Sequence, residues 1–236
     1  MHTKLSTIAF DADDTLWENE AFFRITQDRF AQLLAQYTDA DHLADRLLAA
    51  ERRNLGHYGF GIKGFVLSMI ETAIEVTEER VPASVIKELI AAGQDMLQHP
   101  IHLLDGAADT VAQLAQTYDI LLITKGDLLD QERKLAQSGL GDLFDGVEIV
   151  SAKVPSVYTQ IFKSRGIAAD SAMMVGNSMK SDVIAPIEAG AWGVFVPHNF
   201  TWAIEHAEPP TEHPKYRNLD SLHALPALID SLQVTQ

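Results

Sequence analysis

Five short apolar runs punctuate this chain: Thr7–Phe10, Ile120–Thr124, Val147–Ser151, Met173–Gly176 and Gly193–Val196. Runs this short and rich in apolar residues read as buried strands. Helical spacing fills the gaps between the later runs. Val111, Leu114 and Tyr118 precede the second run; Leu128, Leu129 and Leu135 follow it and stop at Ser138-Gly139. Val157, Tyr158, Ile161 and Phe162 come next, entered at Pro155 and left at Gly166, the usual places for proline and glycine around a helix. Val183, Ile184 and Ile187 form a last helical pattern ending at Gly190, and Pro186 inside it is expected to bend it. Strands alternating with helices predict an α/β fold: a Rossmann-like parallel sheet covered on both faces.

The stretch between the first two runs has a different texture. Phe22, Phe23, Phe30, Leu33, Leu34 and Tyr37 suggest one helix; Leu43, Leu47 and Leu48 a second. Ile62, Phe65, Val66, Met69, Ile70, Ala73 and Ile74 recur at i, i+3, i+4 and i+7, and Val85, Ile86, Leu89, Ile90 and Leu97 follow Pro82. The expected division is therefore a core of residues 1–17 and 100–236 with a helical insert, 18–99. Ligands of open parallel sheets bind beyond the carboxyl ends of the strands, so an insert leaving the first strand there reads as a cap.

Composition narrows the function. A net charge of −15 argues against a nucleic acid polymer or an anionic membrane as partner. It does not exclude a small anion, because charge more than about 8 Å away is screened and a bound cation dominates at close range. The sequence has no cysteine, which excludes disulfides, thiolate nucleophiles and cysteine-bound zinc. With no long apolar span and no leader pattern, a cytoplasmic protein is expected. No histidine cluster of metal-binding type is visible in the spacing.

Chemistry-bearing residues close the strands. Asp11 and Asp13 follow the first run, two apart, and so can face one site. Paired carboxylates at the end of a buried strand are costly unless a positive group lies between them. Thr124 ends the second run and is followed by Lys125-Gly126; Lys153 lies just beyond the third; Gly176-Asn177-Ser178-Met179-Lys180-Ser181-Asp182 follows the fourth. Each alone is weak. Lys153 alone would pass for a surface lysine, and Asp182 for a first-turn helix charge.

Together, the four in this order resemble the haloacid dehalogenase-like hydrolases, and the resemblance spans the whole core. It implies a phosphate-ester hydrolase in which Asp11 is the nucleophile and Asp13 the general acid and base. It implies magnesium on Asp11, Asp13 (through its carbonyl) and Asp182, with Asn177 in or just behind the metal's shell. It also implies a phosphoryl group met by Thr124, Lys125 and Lys153. Within the family the dehalogenases lack the second aspartate and the phosphonate-cleaving branch has a small residue there, so Asp13 favours phosphatase or phosphomutase. The mutases carry a glycine where Asp14 stands, which favours phosphatase. An idle phosphate- or protein-binding scaffold is the other alternative, against which the intact motif residues count. One departure is Asn177, where the family has an aspartate.

Thr124 to Lys153 leaves room for one helix and one strand, so no second cap is expected there. Arg52, Arg53, His57, Tyr58, Phe60 and Lys63 lie among Gly56, Gly59, Gly61 and Gly64. Of these, Arg53, His57, Tyr58 and Lys63 are the candidate contacts to a small phosphorylated metabolite; an ordinary solvated loop is the competing reading. His198 and its aromatic neighbours Phe200 and Trp202 read as a packed turn.

Overall fold

The computed structural model describes residues 4–234; residues 1–3 and 235–236, the ends of the expected core, lie outside the described residues. Six strands form one sheet: β1 (Thr7–Phe10), β2 (Asp119–Lys125), β3 (Gly146–Val150), β4 (Ala172–Gly176), β5 (Trp192–Phe195) and β6 (Tyr216–Asn218). Their order is β3-β2-β1-β4-β5-β6, and every pairing is parallel. The chain builds outward from β1 in one direction, then returns to β4 and builds in the other. The crevice where that order reverses, between β1 and β4, is where an open α/β sheet binds ligands.

Alternation along the strands sorts side chains onto two faces. Ile8, Phe10, Ile120, Leu122, Met173, Val175 and Val194 pack with Ala107, Val111, Leu225 and Ile229. These last four lie on α5 (Ala107–Leu114) and α9 (Leu225–Val234). Ala9, Leu121, Ile123 and Met174 face the other way, onto Tyr158, Ile161, Phe162 and Ala185, from α7 (Pro155–Arg165) and α8 (Ala185–Glu188). The termini of α7 follow the sequence: Pro155 at its start, Gly166 in the left-handed conformation at its end.

A second compact unit comprises Asn19–Pro100 together with Gly126–Asp130. Its helices are α1 (Glu20–Leu34), α2 (Ala40–Tyr58), α3 (Ile62–Val76) and α4 (Ala83–Gln98). Phe30, Leu34, Leu43, Leu47, Phe65, Met69 and Leu89 form a core of its own. Asp39 caps α2, its carboxylate accepting from the amide of His42 at 2.9 Å. None of the described helices is long and apolar enough to cross a membrane.

Three elements depart from the sequence reading. β6 has no apolar run behind it: Tyr-Arg-Asn pairs at the sheet edge beside β5. The pattern around Pro186 is not one bent helix. Met179–Ile184 winds as a wide π-turn and passes into the four-residue α8, since Pro186 has no N–H to continue an α-helical ladder. In α6 (Leu128–Ser138), Leu128 and Leu129 are exposed, whereas Gln131 and Lys134 are buried.

Candidate active site

Phe10 stands level with Leu122 of β2 and Val175 of β4. The residues just past these strands therefore share one edge. The amide of Asp11 still donates to the Val175 carbonyl at 2.9 Å, so Asp11 is held by the sheet itself. Beyond it the chain turns sharply: the Leu16 amide returns to the Ala12 carbonyl at 2.8 Å, and Asp14 sits at φ 59°, a left-handed conformation that aspartate tolerates better than most. Thr15 fastens this turn to the β4 loop. Its hydroxyl donates to Asn177 Oδ1 at 3.3 Å and accepts from the Asn177 amide at 3.1 Å.

Lys153 is the electrostatic centre. Its ammonium bonds Asp11 Oδ1 and, at 2.8 Å, Asp182 Oδ1, and its side chain is 1% exposed. Burial opposes its charge, yet the two carboxylates raise its pKa above the ordinary lysine value. Asp182 is wholly buried; its second oxygen accepts from the Ser178 amide at 2.9 Å. A Cβ on Gly176 would lie 2.3 Å from that oxygen, so only glycine lets Asp182 stand this close to the strand end. Burial first, then the charge of Asp182, push the Asp11 carboxyl up to about 7 even with Lys153 beside it. One ammonium thus leaves the pair short of positive charge. The available donors are carboxylate and carbonyl oxygens, which fit a hard dication such as magnesium; Asp11, Asp182 and the Asp13 carbonyl are the groups that would hold it.

Asp13 is held separately. Trp17 Nε1 donates to its Oδ1 at 2.7 Å. Lys134 Nζ reaches both oxygens, at 3.0 and 3.1 Å, and Gln131 Nε2 reaches Oδ2 at 3.0 Å. The same Gln131 nitrogen lies 3.1 Å from Thr124 Oγ1. Neither Gln131 nor Lys134 is evident from the apolar pattern. The available signal is two polar residues three apart, on one face of the helix that opens just after Thr124.

Glu205 is the other group the sequence hides. It accepts from the Ser178 hydroxyl at 2.5 Å and the Ser181 hydroxyl at 2.6 Å, and pairs with Lys125. Lys125 also donates to Ser181 Oγ at 2.9 Å. Lys125 is therefore turned to the loop that carries Asp182, in an ion pair that accounts for its charge without a phosphate. Lys180 is exposed. Burial alone would raise the Glu205 carboxyl; Lys125 and the two hydroxyls outweigh it and hold it at about 2. The folded value lies below the ordinary 4.5, so this contribution to stability is present above pH 4.5 and lost as pH falls toward 2. Urea titrations across that window should show Glu205→Gln with a shallower acid-side decline than wild type. Parallel curves would deny Glu205 this role.

His198 does more than pack a turn against Phe200. Its Nδ1 lies 3.6 Å from Asp14 Oδ1 and its Nε2 3.4 Å from Glu18 Oε2. The three side chains offer ligand atoms within 4.8 Å of one another, a cluster the chain spacing conceals. In the helical unit, Asn54 donates to Glu71 at 2.8 Å, Tyr58 donates to it at 2.9 Å and Arg53 lies 3.4 Å away. These donors hold the Glu71 carboxyl below its ordinary value. Lys63 pairs with Asp127 at 2.8 Å, and His57 is exposed.

A sequence profile of the haloacid dehalogenase-like hydrolases matches residues 5–190. No curated protein matches at a significant level. Among solved structures, a haloacid dehalogenase-like family hydrolase from Xanthomonas campestris is 38% identical, with 98% of this chain and 93% of that chain covered and a TM-score of 0.88. The putative HAD-hydrolase YfnB from Bacillus subtilis, bound to magnesium, is 17% identical over 97% of this chain and 100% of its own, TM-score 0.69. The L-2-haloacid dehalogenase from Xanthobacter autotrophicus, with chloropropionic acid covalently bound, is 16% identical over 96% and 98%, TM-score 0.65. The profile match and the Xanthomonas likeness agree with the strand-end carboxylates and lysine: this chain belongs to the haloacid dehalogenase-like hydrolases.

Proposed function

We propose that the chain is a magnesium-dependent phosphatase acting on a small phosphorylated metabolite through an aspartyl-phosphate on Asp11. The observation that carries this reading is the second carboxylate, Asp13, held by three donors two residues beyond the nucleophile. Displacing a halide needs no proton, whereas an alkoxide leaving group does. Both phosphatases and dehalogenases share the fold, so the fold alone does not choose between them.

In this reading an Asp11 oxygen forms a bond to phosphorus as the ester P–O bond breaks. The departing oxygen takes its electron pair and a proton from Asp13. Water, giving its proton back to Asp13, then attacks phosphorus, and the electron pair of the P–O(Asp11) bond returns to the carboxylate. Lys153 and the Thr124 hydroxyl offset the charge on the phosphoryl oxygens. Magnesium on Asp11, Asp182 and the Asp13 carbonyl would neutralise the incoming dianion. Asn177, engaged with Thr15, orients the loop. Arg53, His57, Tyr58 and Lys63 are the proposed specificity contacts; Arg53 and Tyr58 would have to leave Glu71, and Lys63 would have to leave Asp127, to reach a substrate.

The test is product analysis. Incubation with p-nitrophenyl phosphate and a panel of phosphorylated metabolites should release phosphate with magnesium and not with a chelator. 2-Chloropropionate should release no chloride. Chloride release without phosphate release would overturn the reading.

A further inference from the structure

Asp13 has more donors than a free carboxyl in a reaction crevice needs. We propose that Lys134, together with Gln131, is the positioning element of the general acid: it fixes the direction of the Asp13 carboxyl and receives the anion left when the proton departs. The inference rests on the phosphatase reading and deepens it.

Three observations carry it. Lys134, 6% exposed, brings its ammonium to both oxygens of the Asp13 carboxylate, at 3.0 and 3.1 Å, a charge-assisted contact that favours this setting of the carboxyl. Gln131 is 3% exposed, and its Nε2 faces Asp13, Thr124 Oγ1 and the Lys125 carbonyl, the last at 2.6 Å. Meanwhile its Oε1 has no partner. An orphaned buried carbonyl is costly, so the amide's direction is set by what its nitrogen serves: the general acid and the phosphoryl-binding hydroxyl at once. Third, α6 turns Leu128 and Leu129 to solvent while burying these two polar residues, the reverse of what packing alone would select.

In the first step, Asp13 gives its proton to the ester oxygen as the P–O bond breaks and becomes a carboxylate. Lys134 and the N–H donors of Trp17 and Gln131 then face a full negative charge. In the second step the carboxylate takes a proton from the attacking water, and the acid is restored. Lys134 touches no reacting atom; it acts through Asp13.

The experiment compares Lys134→Met, Lys134→Arg, Asp13→Ala and the double variant Asp13→Ala/Lys134→Met on p-nitrophenyl phosphate and on glycerol phosphate. General acid catalysis is worth about 10²–10⁴-fold where the leaving group needs a proton. Lys134→Met should therefore lose about a hundredfold in kcat on glycerol phosphate and only a few-fold on p-nitrophenyl phosphate, with KM little changed. Lys134→Arg should recover most of the loss, and the double variant should be no slower than Asp13→Ala. Equal losses on both substrates, or losses that multiply in the double variant, would overturn the proposal. If wild type hydrolyses neither ester, the phosphatase reading is what fails. Crystal structures of wild type and Lys134→Met then decide the clamp: a turned Asp13 carboxyl supports it, an unmoved one overturns it.

Discussion

Asp11→Asn should fold and yet turn over no phosphate ester measurably, a loss of about four orders of magnitude or more, as expected when a nucleophile is removed. An amide oxygen cannot form the acyl phosphate, and no neighbour can take its place: Lys153 is a donor bound to both carboxylates, and Asp13 is held by Trp17, Gln131 and Lys134. Stability should move the other way. The folded Asp11 carboxyl binds its proton up to about pH 7, against 3.8 for the ordinary group. Its contribution to stability is therefore full below pH 3.8 and is lost as pH rises through 7. In magnesium-free buffer wild type should weaken across that window, and Asp11→Asn should lack this part of the slope. Activity within tenfold of wild type would remove Asp11 from the nucleophile's place.

Lys153→Met should cost both stability and rate. The substitution keeps the length of the side chain but leaves Asp11 and Asp182, both buried, facing each other without their shared ammonium. Breaking a buried ion pair from one side costs about 3–5 kcal/mol. At roughly 2–4 °C per kcal/mol for a chain of this size, the Tm should fall by about 10 °C. Magnesium should restore part of that loss, because the uncompensated carboxylates then have a dication to hold. The rate should fall about a thousandfold, as when a preorganised charge facing the transition state is lost. A Tm within 2 °C or so of wild type, measured without metal, would show that Lys153 does not balance the pair.

What was legible in the sequence is what the sheet fixes directly. β1, β2, β4 and β5 announce themselves because a strand buried on both faces must be apolar at almost every position, whereas β3 is a half-buried edge strand with Val147 exposed and Glu148 at its centre. Asp11, Thr124, Lys153 and Asp182 stand out because each closes or follows a short apolar run. The helical insert was legible from its own stripes, which close into a core of Phe30, Phe65, Met69 and their neighbours. β6 was not, since a three-residue polar edge strand leaves no periodicity to read. Glu205 was not, because it sits far along the chain from the lysine and serines it joins. Gln131 and Lys134 were hidden for another reason: they serve a side chain rather than a core, so their burial runs against the apolar pattern of α6.

In the proposed mechanism a phosphoryl group passes through Asp11. Mixing the enzyme and magnesium with a radiolabelled phosphate ester, quenching in acid within one turnover and mapping the tryptic peptides would locate it. Label is expected on the peptide spanning Leu5 to Arg24, at Asp11, and none in Asp11→Asn. Phosphate release by wild type with no label on that peptide would remove Asp11 from the reaction path.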